Sequence, residues 1–374
     1  MNSQEKLYMP LGLYVHVPFC ASHCDYCAFY KERPTPTSLK HYTHCLGLEI
    51  QNIDDRRAFR TVYIGGGTPG ILGVEHIRRI GEQIHAKLHH KPVEWTVELS
   101  PSTVNEEKLE AWRSLGVNRI SMGVQSFSER TLNLLGRKQK PQQVFRAYEL
   151  IRKMGFKNVG LDLIFSVPGQ TVEQFIDDLS TAISLQPEHL STYCLTYEEG
   201  TRLTLRQGDG SDEDRDCDFY EKAHDFLESH GYTQYEISNY CRPGFASLHN
   251  RNTWLMADWI GVGPSASSQY GRHRYKNAPS LLQWVDAMEN RRTVHRDITS
   301  LDDYSLATDQ IIFGLRMNEG IDLTHNPHKV KLTSFFQELE AETLLIFNDQ
   351  NIRLTAKGRL LCDAIAGEIL AILE

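Results

Sequence analysis

Apolar and polar positions alternate regularly over the first 195 residues. Short apolar runs are separated by longer stretches in which apolar residues recur three and four positions apart. This pattern is typical of parallel strands joined by crossover helices. It predicts six strands, at residues 11–17, 61–65, 95–99, 118–122, 159–165 and 190–195. The pattern alone does not separate a barrel of six βα units from an open doubly wound sheet, but in both folds functional residues lie at the carboxyl ends of the strands.

The ends of the predicted helices carry capping signals. Thr171 and Gln174 have the spacing of a capping box at the start of one helix. Gly116 and Gly155 stand where two other helices should end, because glycine adopts the left-handed conformation that closes a helix. The apolar periodicity and the caps therefore predict the same helix boundaries.

The pattern changes after residue 195. An acidic stretch at 209–218 leads into a helix, and a region rich in Gly, Ser and aromatic residues follows at 231–277. From residue 302 the pattern predicts two helices, a short strand near 352–354, a turn at Lys357 and Gly358, and a final helix. We therefore predict three parts: a (β/α)6 core at 1–230, an accessory segment covering it at 231–300, and a smaller winged-helix-like domain at 301–374.

Composition and charge exclude several classes of protein. The formal net charge is -8 and no basic block occurs, so we expect no nucleic-acid partner. No apolar run approaches the roughly 18 residues that a membrane-spanning helix needs. The first ten residues have neither the apolar core of a signal peptide nor an Arg-rich composition, which predicts a cytoplasmic protein.

Three of the eight cysteines are clustered, and the other five are scattered singly, as buried small side chains often are. Cys20, Cys24 and Cys27 follow the first strand with the spacing C-x3-C-x2-C. Thiolates are the usual ligands of iron–sulfur clusters, and three of them leave one iron open for a ligand. A zinc site completed by His16 or His23, and three unrelated cysteines, are the alternatives.

This cysteine loop resembles that of the radical S-adenosylmethionine (SAM) superfamily. A second motif after the second predicted strand, Gly65, Gly66, Gly67 and Thr68, resembles the glycine motif of that superfamily, which approaches the amino group of SAM. Glycine suits such a place because it allows close backbone approach. The resemblance implies an α/β fold with a partial (β/α)6 barrel, a 4Fe-4S cluster on the three cysteines, and SAM on the open iron.

Further motifs narrow the resemblance to the coproporphyrinogen oxidase-like branch and cover nearly the whole chain. They lie at 14–20, 123–127, 135–137, 162–164, 168–171, 235–239, 249–254 and 261–264. The resemblance implies that the glycine motif and six further side chains bind SAM: Tyr14, Tyr26, Glu98, Gln125, Arg137 and Asp162. Carboxylates suit the ribose hydroxyls, and an arginine suits the methionine carboxylate.

One position separates two members of this branch. The oxygen-independent coproporphyrinogen III oxidases have a fourth cysteine two residues after the third, where this chain has Phe29. This departure favours the haem chaperone group (HemW). Gln139 and Thr253 also replace a His and a Tyr of the branch motifs, which leaves the handling of the substrate open.

We therefore predict a haem chaperone with haem as its cargo. His249 is the candidate axial ligand, and the alternative is a histidine that only orders its own segment. The predicted partners are haem, haem-accepting proteins and an electron donor for the cluster, and peripheral contact with membrane-bound acceptors stays open. A radical enzyme acting on a porphyrin, and a protein with a purely regulatory or interaction role, are the other hypotheses.

Overall fold

The computed structural model describes residues 10–55, 57–348 and 350–374. In chain order the strands are β1 (Leu11–Val17), β2 (Phe59–Gly66), β3 (Glu94–Leu99), β4 (Arg119–Gln125), β5 (Val159–Phe165), β6 (His189–Cys194), β7 (Thr233–Glu236), β8 (Asn239–Cys241), β9 (Trp259–Val262), β10 (Ser267–Tyr270), β11 (His273–Asn277), β12 (His295–Ser300), β13 (Ile321–Asp322), β14 (Leu345–Phe347) and β15 (Asn351–Leu354). The helices are α1 (Pro36–Gln51), α2 (Val74–His85), α3 (Glu106–Ser114), α4 (Glu129–Leu134), α5 (Pro141–Lys153), α6 (Val172–Ser184), α7 (Arg202–Gln207), α8 (Glu213–Ser229), α9 (Leu248–Trp254), α10 (Leu281–Glu289), α11 (Asp303–Gly314), α12 (Lys329–Ala341), α13 (Ala356–Leu360) and α14 (Cys362–Leu373).

Six parallel strands form the centre of one large sheet. Strands β1 to β6 each pair with the next in the order of the chain. A doubly wound sheet would reverse its strand order at a switch point, and this core does not. The sequential order therefore confirms the predicted α/β class and favours the winding of a partial barrel.

Side chains alternate between the two faces of these strands. Trp95, Val97 and Leu99 of β3 belong to the main apolar core, together with residues of the surrounding helices. The intervening Glu98, like Arg119 and Ser121 of β4, lines a cavity on the inner face. Successive residues of a strand point to opposite faces, so one set of strands builds an apolar core outside and a polar chamber inside.

The local predictions compare well with the observed element ends. Thr171 and Gln174 form the predicted capping box at the start of α6. Gly116 and Gly155 adopt φ angles of 96° and 86°, as glycines that close a helix do. All six predicted strands are present, although β4 extends to Gln125, three residues beyond its predicted end.

Strands from the segment after α8 extend the sheet at both edges. Strands β8 and β7 continue it beyond β6, while β9 to β12 continue it beyond β1. Between them, helix α9 closes the amino-terminal end of the barrel, where the Glu94 carboxylate accepts hydrogen bonds from the backbone N–H groups of Leu248 and His249, at 2.9 and 3.0 Å. The division of the chain at residues 230 and 300 stays a prediction.

A buried carboxylate joins helix α1 to the added strands. Glu49 accepts hydrogen bonds from Gly263 N at 2.7 Å, Asn277 Nδ2 at 2.6 Å and Trp284 Nε1 at 3.1 Å. Burial raises the pKa of Glu49 to about 7, and the three donors oppose this shift. One side chain thus holds α1, β11 and α10 in a fixed relation.

The C-terminal part has its own small core. Strands β13, β15 and β14 form an antiparallel sheet, and apolar residues of α11, α12 and α14 pack with it. Strand β15 confirms the strand predicted near 352–354. The predicted turn at Lys357 and Gly358 is wrong: both residues lie in α13, because Thr355 Oγ1 accepts a hydrogen bond from Gly358 N at 3.0 Å and caps a new helix.

Within the described parts of the chain, no helix combines the length and apolar character that a membrane crossing requires.

Replacing Glu49 with alanine should destabilise the fold. The substitution leaves the N–H groups of Gly263, Asn277 and Trp284 without their acceptor, and we expect the free energy of unfolding to fall by about 3 kcal/mol. Urea unfolding followed by circular dichroism measures the change. Glu82→Ala, at an exposed position of α2, is the matched control and should change stability by less than about 0.5 kcal/mol. A similarly small change for Glu49→Ala would contradict the role of Glu49 in holding α1, β11 and α10 together.

Candidate cofactor site

A cavity of about 810 Å³ lies at the carboxyl ends of the parallel strands. Its wall is formed by the loop after β1, the turn after β2, and the ends of β3 to β6. Most of the predicted site residues line it: Cys20, Cys24, Tyr26, Cys27, Gly66, Gly67, Thr68, Glu98, Gln125, Arg137 and Asp162. Tyr14, Gly65 and His249 do not. The structure therefore gathers residues from six separate parts of the sequence around one chamber.

The turn after β2 packs directly on the start of the cysteine loop. Gly67 N donates a hydrogen bond to Val17 O, and Thr68 N donates to Phe19 O, both at 2.8 Å. A Cβ atom on Gly67 would lie 2.6 Å from the Phe19 carbonyl oxygen. Cys20 Sγ consequently lies 3.5 Å from Thr68 Oγ1. Gly67 is thus needed for the approach of one backbone to another, which sets the position of the first cysteine.

Gly65 and Gly66 are restricted by protein side chains. A Cβ atom on Gly66, whose φ is 105°, would lie 2.6 Å from the His16 ring, and one on Gly65 would lie 2.8 Å from the Glu98 carboxylate. Gly66 N also donates a hydrogen bond to Glu98 Oε2 at 3.1 Å. The close approach expected at this motif is therefore observed, with His16 and Glu98 as the neighbours in the structure.

Asp25 anchors the middle of the cysteine loop. Its backbone N–H donates to Leu135 O at 2.9 Å, and its carbonyl oxygen accepts from Leu203 N at 2.8 Å. Its carboxylate pairs with Arg206 at 2.6 Å and, more loosely, with Arg202 at 3.8 Å. Both arginines belong to α7, so the loop is fixed to this short helix from the far side of the barrel.

The three clustered cysteines have the chemistry of iron–sulfur cluster ligands. All three thiols are free and line the same cavity, and thiolates are the ligands that such clusters use. Burial raises the pKa of the Cys20 and Cys24 thiols, while the positive charges of Arg137 and Lys31 oppose this at Cys24. For the zinc alternative, neither His16 nor His23 belongs to the lining of the cavity that the three cysteines share.

Two carboxylates face the cavity as hydrogen-bond acceptors. Glu98 accepts from the Tyr63 hydroxyl at 2.7 Å, and burial raises its pKa to about 7. Asp162 accepts from Ser191 Oγ at 2.7 Å and from Ser121 Oγ at 3.2 Å, and burial raises its pKa too. Each carboxylate is oriented by the protein and has further lone pairs for the hydroxyl groups of a ligand.

A β-bulge aims Gln125 into the chamber. The pairing of β4 with β5 shifts between Gly123 and Gln125, and Gln125 has a φ of 68°. A bulge of this kind turns a strand end and redirects a side chain. Periodicity placed Gln125 beyond the strand, whereas the structure places it at the bulged end.

Gln139 positions Arg137. The Gln139 side chain donates to Val124 O at 2.6 Å and accepts from Arg137 Nη1 at 3.2 Å. Arg137 Nη2 lies 3.4 Å from the Tyr26 hydroxyl, and the buried Arg137 Nε has no partner among the described residues. The glutamine that departs from the branch motif therefore steadies a guanidinium that still has a donor to give to a ligand.

Sequence reasoning missed several cavity residues: Tyr63, Arg119, Ser121, Ser191 and Tyr193. Arg119 is 1% exposed, and its Nε and Nη1 find no partner in the described part of the chain. Alternation along β4 puts Arg119 and Ser121 on the same face as Gly123, so the alternation of strand residues in the sequence could have identified them. The placement of Ser191 in the cavity depends on the pairing of β5 with β6, which a single sequence does not reveal.

His249 and Tyr14 lie behind the cavity wall. The His249 ring is buried, its Nδ1 is 2.9 Å from Thr61 Oγ1, and it packs against Tyr63 with ring centroids 5.1 Å apart. Burial lowers its pKa to about 4. The haem-ligand role of His249 stays a prediction, and these contacts fit the alternative in which it orders its own segment.

Comparisons with known proteins identify two matching family models and several similar proteins. A family model described as the radical SAM superfamily matches residues 14–182, and a HemN C-terminal domain model matches residues 301–361. The chain is 33% identical to the heme chaperone HemW of Lactococcus lactis, over 94% of this chain and 95% of that protein. It is 30% identical to HemW of Bacillus subtilis, over 96% and 98%, and 38% identical to HemW of Escherichia coli, over 69% of each.

A solved structure resembles nearly the whole chain. Coproporphyrinogen III oxidase (HemN) from Escherichia coli, described as a radical SAM enzyme, matches with a TM-score of 0.84 at 25% identity, over 99% of this chain and 93% of that one. The comparisons confirm the resemblance found in the cysteine loop and the glycine motif. They also confirm the fold class, an α/β radical SAM core with a smaller C-terminal domain.

Substituting Gly67 should disturb the cysteine loop. In Gly67→Ala the new methyl group meets the Phe19 carbonyl oxygen, and moving the two backbones apart should cost about 2 kcal/mol of stability and displace Cys20. Urea unfolding and the iron bound after reconstitution measure both effects. Gly73→Ala is the control, because nothing lies within 4 Å of a Cβ atom there. Equal iron contents in the two variants would contradict this account.

Affinity for SAM should depend on pH through Glu98. Its carboxylate accepts hydroxyl hydrogen bonds when ionised, and its raised pKa of about 7 means that this form is lost as the pH falls below that value. We expect SAM affinity to be highest above neutral pH and to fall by at most about tenfold per unit below it. Calorimetry on reconstituted protein across this range measures the effect.

The control for this pH effect is Glu98→Gln, which should bind SAM weakly at every pH, whereas Glu107→Gln on the surface should follow the wild type. A wild-type affinity that does not change with pH would show that Glu98 is not the group that titrates.

Proposed function

The chain belongs to the radical SAM superfamily and, within it, to the family of the heme chaperone HemW, and from this we propose that it binds haem and transfers it to haem-dependent respiratory proteins. The observation that carries the proposal is the likeness to proteins of that name over almost the full length of both chains. Phe29 supports it, because an aromatic side chain lines the cavity where the related oxidases have a fourth cysteine.

Membership of the superfamily implies an iron–sulfur cluster and SAM. We propose that the cluster is of the 4Fe-4S type and is held by Cys20, Cys24 and Cys27, with the fourth iron left for SAM. When reduced, such a cluster would supply the electron that cleaves SAM into methionine and a 5′-deoxyadenosyl radical.

The chain's own side chains would hold and orient SAM. The Glu98 and Asp162 carboxylates, fixed by Tyr63 and Ser191, offer acceptors to the ribose hydroxyls. The Arg137 guanidinium, whose Nε finds no partner among the described residues, suits the methionine carboxylate. The proposal therefore assigns the deep part of the cavity to SAM.

The remaining partners extend the proposal. They are the haem-accepting proteins and an electron donor for the cluster, with peripheral contact with membrane-bound acceptors left open. The cytoplasm stays the predicted location. None of these changes the assignment of the cavity.

The alternative is an oxygen-independent coproporphyrinogen III oxidase. It is favoured by the similarity in structure to HemN, with its TM-score of 0.84. The two functions differ in a measurable way, because an oxidase converts coproporphyrinogen III and a chaperone binds and releases haem unchanged.

One anaerobic experiment tests the proposal. Reconstituted wild-type protein should contain about four irons per chain, in line with a cubane cluster, show thiolate-to-iron absorbance and develop a Soret band with haemin. It should pass this haem to an apo-cytochrome and should leave coproporphyrinogen III unconverted when SAM and a reductant are present. Cys24→Ala should lose the cluster absorbance, whereas Cys45→Ala, at a buried cysteine of α1, should keep it.

Each part of the result is decisive for one claim. Zinc in place of iron would overturn the cluster assignment. Formation of protoporphyrinogen would replace the chaperone with the oxidase. A wild-type protein that binds haemin but never releases it to an apo-protein would contradict transfer, although not haem binding.

A further inference from the structure

The mouth of the cavity carries an unusually exposed aromatic ring. Phe29 lines the cavity and is nevertheless 69% exposed. Ala21 and Ala28, also exposed, line the same mouth. Exposed apolar surface beside a cavity indicates a ligand or partner with an apolar face, because burial of that surface is favourable.

Two ammonium groups border this apolar surface. Lys31 Nζ donates hydrogen bonds to Cys27 O at 2.7 Å and to Phe29 O at 3.2 Å, which holds it against the backbone of the loop that carries the ring. An ammonium has three N–H donors, so one is left for a ligand. Lys138, on the segment after α4, is exposed and lines the cavity as well. In residues 10–55, 57–348 and 350–374, neither lysine lies within 4.0 Å of a carboxylate oxygen.

The charge at the mouth differs from that of the whole chain. The formal net charge of the protein is -8, yet the side chains at the mouth include these two unpaired cations and one exposed acid, Glu198. A ligand that fits has a flat apolar body and carboxylates at its edge. Haem has this chemistry, since its apolar macrocycle carries two propionates.

The chamber also has a second level below the mouth. Glu98 and Asp162 lie on the strands β3 and β5 themselves, whereas Phe29 and Lys138 lie on segments that follow the strands β1 and β4. The two carboxylates proposed for the ribose of SAM are therefore deeper than Phe29 and Lys138. A ligand at the mouth would leave the Glu98 and Asp162 carboxylates available to SAM.

We propose that haem docks at the mouth of the cavity, with its macrocycle against Phe29 and its two propionates paired with Lys31 and Lys138. This inference rests on the proposed haem-binding function and adds the place where the cargo is held. The place is distinct from His249, which is buried below the floor of the chamber.

The test compares haem affinities of variants of the reconstituted full-length protein by Soret titration. Phe29→Ala should weaken haemin binding by about tenfold, because the ring no longer covers the macrocycle. Leu282→Ala, whose side chain is 78% exposed on α10, is the matched control and should bind as the wild type does.

A second pair of titrations isolates the propionates. Lys31→Met/Lys138→Met should bind haemin about fivefold more weakly than the wild type, as expected for two exposed ion pairs. With haemin dimethyl ester, which has no propionate charge, the same variant should match the wild type. Lys40→Met/Lys91→Met, at two exposed lysines elsewhere, should leave both ligands unaffected. Because Lys31 contacts the Cys27 carbonyl, the single variant Lys138→Met repeats the test if the double variant loses iron.

The outcomes separate the inference from the function. Wild-type affinity in both Phe29→Ala and Lys138→Met would overturn docking at the mouth while the haem-binding function stands. Equal weakening of haemin and its dimethyl ester by the lysine variants would overturn the pairing with propionates. No Soret band with the wild type would overturn the proposed function and this inference with it.

Discussion

The contact between two backbones, at Gly67 and Phe19, is the constraint on which the site depends. It holds the turn after β2 against the chain leaving β1, and no side chain larger than hydrogen fits between them. The position of the first cysteine, beside Thr68, is therefore fixed. The positions of the other residues of the loop follow from it. Parallel pairing of β1 with β2 makes this contact possible, since both chains leave the sheet at the same edge.

The inside of the barrel is polar because the same strands must also build an apolar layer under the helices. Its charges are dehydrated, which explains why the pKa of Glu98 is raised and why Asp162 needs two serine donors. Arg119 and Arg137 balance these carboxylates without touching them within salt-bridge distance in the part of the chain that the structure describes. A chamber of this kind is costly when empty and is suited to a polar ligand that supplies the missing hydrogen bonds.

The sequence contains the cysteine loop and the glycine motif as contiguous patterns, and apolar periodicity reveals the strands that bring them together. The sequence does not reveal contacts that depend on the register between distant strands. Ser191 reaches Asp162 only through the pairing of β5 with β6, and Gln125 reaches the chamber only because β4 bulges. His249 shows the reverse case: its motif is plain in the sequence, but whether its ring faces a cavity or a core depends on the packing of α9 against the barrel floor.

The carboxylate of Asp25 links the stability of the cysteine loop to that of helix α7. It is shared between the loop that carries the cysteines and helix α7, which is only six residues long and too short to be stable by itself. The two segments therefore make one cooperative unit, and local opening of either releases the other. Any ligand that orders the loop should therefore also order helix α7, which lies about 180 residues away in the sequence.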